Sequence, residues 1–234
     1  PQAVPKAYVI DRENCPPDCR KCQEICPANA VNLEEEPREC QLDAGAIIVA
    51  TGFEEWNPSP IEEYGYGVHK NVLTQLQLAR LLDPTGPTRG RLERPSDGKT
   101  PRRIVMIQCV GSRDEHHEYC SEICCTYAIK HALLIKESYD AQVYLCYMDI
   151  RTPGAYESYY WEAQEKGVIF IRGRPSKISE DPASGELTVL VEDTLLGERL
   201  AIKADLVALS SALVPSQGTS DIAAKLGIGL NRYG

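Results

Sequence analysis

The stretch "RIVMIQCVGSRDEHHEYCSEICCTYAIKHALLIKE", residues 103–137, decides how this chain is read. Its first residues, "RIVMIQ" (103–108), form an apolar run expected as a buried strand. Its end carries apolar residues at helical spacing, which predict a helix over roughly 119–137. The rhythm continues outward. "AQVYLCYMDI" (141–150) is a second strand, "YESYYWEAQEKG" (156–167) a helix capped by Gly167, and "VIFIRG" (168–173) a third strand. A βαβαβ order predicts an α/β fold with parallel strands, as in half of a doubly wound sheet. Then "LTVLVEDTLLGERLAIKA" (187–204) reads as two alternating strands joined by a Gly-containing turn. "DLVALSSALVPS" (205–216) reads as another buried strand and "SDIAAKLGI" as a short closing helix.

Upstream the organisation is looser. Residues 1–36 hold a group of cysteines between two short β-like runs, "AYVID" and "AVNLE". "AIIVATG" (46–52) reads as a buried strand ending in a small-residue turn. Residues 54–70, rich in Pro, Gly and Glu, read as a surface loop, and "VLTQLQLARLL" (72–82) as a helix. Residues 83–103 form a polar linker full of turn residues. The whole order is similar to that of thioredoxin-reductase-like flavoproteins with two dinucleotide-binding domains (FAD and NAD(P), Rossmann-type). In those proteins an "ATG" strand end lies beside the flavin.

Ten cysteines are Cys15, Cys19, Cys22, Cys26, Cys40, Cys109, Cys120, Cys124, Cys125 and Cys146. Disulfide scaffolds belong to short secreted chains, and adjacent cysteines do not easily close one strain-free bridge. Metal or cluster binding is the better expectation. Cys15-x3-Cys19-x2-Cys22-x3-Cys26-Pro27 is close to the ferredoxin run C-x2-C-x2-C-x3-C-P, with a first gap one residue longer. In that pattern Cys15, Cys19 and Cys22 share one cluster and Cys26 serves another; zinc is the alternative.

The second group is Cys109-x10-Cys120-x3-Cys124-Cys125. Cys109 follows a strand, and the others are expected at a helix start, where helical spacing puts Cys120 and Cys124 on one face. Four thiolates can then converge at the carboxyl edge of the sheet, where N–H groups and the helix dipole favour anions. Buried structural thiols or a redox dithiol are the alternatives, though C-x-x-C spacing is absent from this group. A nicotinamide-binding half would place G-x-G-x-x-G here, and only Gly111 stands in its place. NAD(P) binding in this half is therefore not expected.

The net charge of −9 argues against a nucleic-acid surface. No apolar run approaches the roughly 20 residues needed to span a bilayer, and there is no secretory signal. The chain begins at Pro1, without Met, and both ends read as cut from something longer.

The segments "PQAVPKAYVID", "GAIIVATGFEEWNPS", "EYGYGVHKNV" and "RPSDGKTPRRIVMIQCVGSRDE" resemble the central region of the A-subunit family of heterodisulfide reductases. So do "YCSEICCTYAIKHALLIKE" and the run from "VEDTLLGERL" to "ADLVALSSALVPS". The resemblance covers nearly the whole chain. It implies a thioredoxin-reductase-like body with part of an inserted ferredoxin-like [4Fe-4S] domain. The implied organisation is a partial ferredoxin-like segment over 1–36 and the end of a flavin-binding domain with linker over 37–102. A degenerate NAD(P)-binding-like domain carrying the cysteine site follows over 103–212, with a return toward the flavin domain over 213–234.

It also implies a cytoplasmic electron-transfer iron–sulfur flavoprotein, an oxidoreductase subunit that in some members bifurcates electrons. Its cofactors would be [4Fe-4S] clusters and FAD. Its partners would be heterodisulfide-reducing subunits and a hydrogenase or formate dehydrogenase module in an oligomeric complex. By the same resemblance, Cys109, Cys120, Cys124 and Cys125 match the unusual cluster of the body. Cys15, Cys19, Cys22 and Cys26 match the second half of the inserted ferredoxin. Ala50, Thr51 and Gly52 match the flavin-side strand end, and Lys130 a lysine near the flavin. The chain departs from the family in lacking the amino-terminal flavin fingerprint, the first ferredoxin cysteine run and the carboxy-terminal cluster domain.

Two rival readings are a pyridine-nucleotide-dependent disulfide reductase and a zinc-stabilised, noncatalytic assembly module. His116 and His117 are expected as loop histidines. Tyr156, Tyr159, Tyr160 and Trp161 are expected in core packing, and Cys146 as a core thiol. Cys40 is open between strand core and spare ligand.

Overall fold

A computed structural model describes residues 11, 13–34 and 39–234. The chain divides into two compact units, Pro1–Ala50 and Thr51–Gly234. The "AYVID" run lies outside the described residues except for Asp11. In the first unit the described secondary structure is one short helix, α1 (Lys21–Ile25). "AVNLE" forms no strand; its end is a turn.

In the second unit the strands are β1 (Phe53–Glu55), β2 (Val72–Thr74), β3 (Arg103–Val110), β4 (Gln142–Tyr147), β5 (Ile169–Arg172), β6 (Lys177–Glu180), β7 (Leu187–Asp193), β8 (Glu198–Ala204), β9 (Leu206–Ser211) and β10 (Leu213–Pro215). The helices are α2 (Gln75–Leu82), α3 (Cys124–Ser138), α4 (Glu157–Glu165) and α5 (Gly218–Leu226). A parallel sheet runs in the order β2-β9-β3-β4-β5. The βαβαβ expectation is thus met by β3-α3-β4-α4-β5.

Strand alternation divides this sheet between two cores. Ile104, Met106, Val143, Leu145, Leu206 and Ala208 face the helices and meet Ala128, Ile129 and Ala132 of α3 and Ala163 of α4. Val105, Ile107, Cys146, Val207 and Leu209 face the other way and meet Leu187, Val189 and Val191 of the antiparallel sheet β6-β7-β8. A strand buried on both faces reads as a continuous apolar run, which is why "RIVMIQ" and "DLVALSS" lack polar alternation. Cys146 is the inert core thiol expected of it; burial pushes its thiol up to about 12.

Several expectations give way. "VLTQLQLARLL" is a strand and then a helix: β2 ends at Thr74, which caps α2. Thr74 Oγ1 accepts the Gln77 N–H at 3.2 Å, and Gln77 Oε1 accepts the Thr74 N–H at 2.9 Å. This capping box starts the helix three residues later than apolar spacing suggests. "AIIVATG" is not a strand. Among the described residues nothing pairs with it, and Ile48 is 93% exposed. A strand needs a ladder partner, and periodicity alone cannot supply one. The 54–70 segment is more than a surface loop, since Tyr64 is buried and its hydroxyl donates to Pro175 O at 3.0 Å. "DLVALSSALVPS" splits at Ala212 into β9 and β10, and β10 turns to pair with β1. On α4, Tyr160 packs on Phe170 (centroids 4.8 Å apart), but Tyr159 and Trp161, and Tyr156 just before the helix, are exposed, contrary to the expected core role. Helix α4 buries one narrow stripe around Ala163, too narrow for four large aromatics.

His131 of α3 sits deep in the helix-side packing, its Nδ1–H donating to Gln75 Oε1 at 2.7 Å. Burial lowers its pKa to about 4, with a smaller push from Lys130. As pH falls, the unfolded chain takes up this proton near 6.5, well before the folded one does. Stability from this group is therefore full above about 6.5 and lost as pH falls to about 4, a change of up to about 3 kcal/mol. Denaturant unfolding at several pH values should show this loss, and His131→Gln should flatten it.

Candidate metal centre

The carboxyl end of β3 is built around an irregularity. Its register with β9 shifts between Ile107 and Val110, and Cys109 adopts φ +58°. A left-handed non-glycine residue costs about 1–2 kcal/mol, so the bulge is held by its surroundings. Arg174 donates to the Cys109 carbonyl at 3.4 Å. Residues 111–123 then form a pinned loop. Asp114 Oδ1 accepts the N–H groups of His116 and His117 at 2.9 and 2.8 Å. His117 Nδ1–H donates to Gly111 O at 2.8 Å, and Tyr119 donates to Leu213 O at 2.7 Å. His117 thus braces the loop, while His116 is exposed.

Cys120 lies in this loop and not on the helix. Glu122 has φ +64° and the Ile123 N–H turns back to Ser121 O, so α3 starts only at Cys124. Cys120 and Cys124 therefore do not share a helix face; the loop brings Cys120 to the site. Cys109, Cys120, Cys124 and Cys125 line one pocket together with Arg113 and Arg151. No side chain caps α3, which leaves its first-turn N–H groups free at this pocket.

The electrostatics favour thiols kept protonated until something replaces the proton. Burial raises the pKa of Cys109 and Cys125, and raises that of Cys124 to about 11. Arg113 opposes this at Cys109 and is itself bound by Asp149 at 2.7 Å. Cys124 Sγ points at Ser211 O, 4.0 Å away, and Cys125 Sγ at Asp149 O, 3.7 Å away. Buried polar atoms without a partner include both amide atoms of Gln108, Tyr127 Oη, Ser210 Oγ and Ser211 Oγ. All but Tyr127 stand at the carboxyl ends of β3 and β9, the edge where open α/β sheets bind ligands. Burial raises the Tyr127 phenol far above its ordinary range, so it stays a donor. Among the described residues no three of His, Cys, Asp and Glu converge closely enough to hold one metal ion. The cysteines ring the pocket instead.

Sequence reasoning missed Trp56. Its backbone N–H donates to Ala212 O at 2.8 Å, and its indole lies against Gly111, where a Cβ would come within 2.2 Å of the ring. The indole fills the space beside Gly111, the position at which the sequence pattern looks for a phosphate loop.

In the first unit, Cys22 lies on α1 and Cys26 ends it. Cys15, Cys19, Cys22 and Cys26 are all half-buried, and Cys40 is exposed. The Ala30 N–H donates to Cys26 Sγ at 3.4 Å; with the Ala28 N–H it lowers the Cys26 pKa. Gly52 has φ +74°, open space where a Cβ would stand, and lies next to Thr51, whose carbonyl accepts from Ser216 Oγ at 2.9 Å. Lys130 is exposed on α3.

No helix among the described residues is long and apolar enough to cross a membrane. No protein-family model matches the chain. Among solved structures it is similar to thioredoxin reductase of T. acidophilum, with TM-score 0.45 and 15% identity over 78% of this chain and 48% of that one. Curated relatives are far nearer in sequence. One is the iron-sulfur A-subunit of the CoB–CoM heterodisulfide reductase of Methanocaldococcus jannaschii, 50% identical over 100% of this chain and 36% of the relative. Another is the A-subunit of the H2/formate:CoB-CoM heterodisulfide,ferredoxin reductase of Methanococcus maripaludis, 52% identical over 97% of this chain and 35% of the relative. The A-subunit of the ferredoxin:CoB-CoM heterodisulfide reductase of Methanosarcina acetivorans is 43% identical over 100% of this chain and 33% of the relative. The chain spans about a third of the length of these relatives. With relatives at 42–52% identity across essentially its whole length, it belongs to the A-subunit family of heterodisulfide reductases.

Proposed function

We propose that this chain is the cluster-carrying part of an electron-transfer oxidoreductase subunit, an iron–sulfur flavoprotein of the heterodisulfide reductase type. One observation carries the reading: Cys109, Cys120, Cys124 and Cys125, from a strand bulge, a loop and a helix start, line one pocket. The donor set suits an iron–sulfur cluster, which takes thiolate at each corner and needs the sulfurs spread around it. Cys15, Cys19, Cys22 and Cys26 would hold ferredoxin-type clusters, and Ala50, Thr51, Gly52 and Lys130 would face FAD in the whole protein. Bound there, the clusters supply one-electron transfer and FAD couples it to two-electron chemistry.

The chain's own residues have three tasks in this reading. The thiolates hold the metal. Arg113, Arg151 and the uncapped start of α3 offset their negative charge. The pinned 111–123 loop would hold Cys120 in place at the cluster. The Methanococcus maripaludis relative is named for H2 or formate, CoB-CoM heterodisulfide and ferredoxin; in this reading the partners would be heterodisulfide-reducing subunits and a hydrogenase or formate dehydrogenase module, with bifurcation as the mode of coupling.

The test is anaerobic purification followed by iron, acid-labile sulfide and zinc analysis. The reading expects roughly four or more irons with matching sulfide per chain. Colourless protein with stoichiometric zinc would sink it.

A further inference from the structure

Cys124 is surrounded unequally. As a thiol it donates toward Ser211 O at 4.0 Å. As a thiolate ligand it could only accept, and a carbonyl offers it nothing. Tyr127 stands one turn along α3 from Cys124; its hydroxyl is buried with no hydrogen-bond partner, and Cys124 and Ser210 are among the groups that act on its phenol. Ser210 Oγ is likewise buried without a partner. Buried hydroxyls left single are unusual in a folded protein and ask for a reason. Cluster ligation supplies one, because it turns Cys124 from a competing donor into a charged acceptor.

We propose that Tyr127 is a positioning residue for the cluster: its hydroxyl donates to the Cys124 thiolate, polarised in turn by the Ser210 hydroxyl, and this raises the cluster's reduction potential. The inference rests on the reading that Cys124 is a cluster ligand. A hydrogen bond to a ligand sulfur is stronger when the cluster is reduced and more negative, so it favours the reduced form. Two hydroxyls in series polarise each other, so Ser210 acts through Tyr127.

The complete protein, purified anaerobically, is titrated by EPR at controlled potential as wild type, Tyr127→Phe, Ser210→Ala and the double variant. Tyr127→Phe should shift the reduced-to-oxidised ratio of one cluster about tenfold toward oxidised at fixed potential, which is ~59 mV downward for one electron. The remaining clusters should stay in place. Ser210→Ala should shift the same cluster in the same direction by less, and the double variant should match Tyr127→Phe alone. Solvent deuteration should move an iron–thiolate vibration in wild type and not in Tyr127→Phe. Wild type without a cluster at these cysteines would overturn the underlying reading. An intact cluster with an unshifted potential in Tyr127→Phe would overturn this inference alone. Should Tyr127→Phe fail to assemble, Ser210→Ala decides: an unmoved potential there overturns it too.

Discussion

Cys124→Ser is expected to lose about four irons and four acid-labile sulfides per chain relative to the unaltered protein, while the amino-terminal clusters remain. The same loss is expected of Cys109→Ser, Cys120→Ser and Cys125→Ser. The reason lies in the cost of the empty site. Burial pushes the Cys124 thiol up to about 11 and raises Cys109 and Cys125 as well, so without metal these groups are neutral at pH 7. Four clustered thiolates, three of them buried, would be expensive without metal, and Arg113 and Arg151 cannot offset them alone. Binding must therefore release protons, and the metal's charge must drive that release. A serine alkoxide is harder still to form and is a poor ligand for soft iron–sulfur corners, so one substitution empties the site.

Cys146→Ser is the informative contrast. Cys146 is as buried as Cys109, Cys124 and Cys125 and its thiol is raised even higher than that of Cys124, to about 12, but it stands in the β4 core and away from the pocket. Burial of a thiol is thus no mark of a ligand here. Cys146→Ser should keep its iron and lose only some stability. Full iron in Cys124→Ser, or lost iron in Cys146→Ser, would defeat the assignment. Iron and sulfide assays on the two variants, prepared side by side, give the answer.

The sheet is legible in the sequence because its strands are buried on both faces. "RIVMIQ" and "DLVALSS" carry that as unbroken apolar runs, and α3 and α4 fill the gaps between them at the right length. The cysteine site is legible as a set, though not as geometry. Spacing of one turn to Cys124 predicts Cys120 on the helix; the left-handed Glu122 breaks that turn, and no residue type there announces it. The start of α2 is open to reading, since Thr74 and Gln77 are a capping box written in the sequence. "AIIVATG" misleads for a different reason. Strand formation is decided by a partner, and among the described residues none is offered. Trp56 leaves no signal at all, because nothing in the sequence joins it to a glycine 55 positions away.

Gly111→Ala is expected to destabilise the second unit by about 2–5 kcal/mol, far beyond an ordinary surface substitution. Two costs add. Gly111 has φ +71°, where an alanine costs about 1–2 kcal/mol. The added Cβ would also stand 2.2 Å from Trp56 Cε3 and 2.5 Å from Cζ3, which no contact tolerates. The indole cannot simply withdraw, because the Trp56 backbone is tied to Ala212 O and its ring edge meets His117, which itself holds the Gly111 carbonyl. Relief must come from the loop that carries Cys120, so iron content should fall along with stability. The pair Gly111→Ala and Trp56→Ala separates the two costs. Removing the indole leaves only the backbone penalty, so the double variant should lose less than the sum of the singles, by about the overpacking share of 1–3 kcal/mol. If the glycine were instead a remnant of a phosphate loop, kept open for a diphosphate, its Cβ would meet empty space. Alanine would then cost the backbone penalty alone and the two substitutions would add. Denaturant unfolding of the four proteins distinguishes these cases, and additivity would mean that the indole does not occupy the place of the phosphate loop.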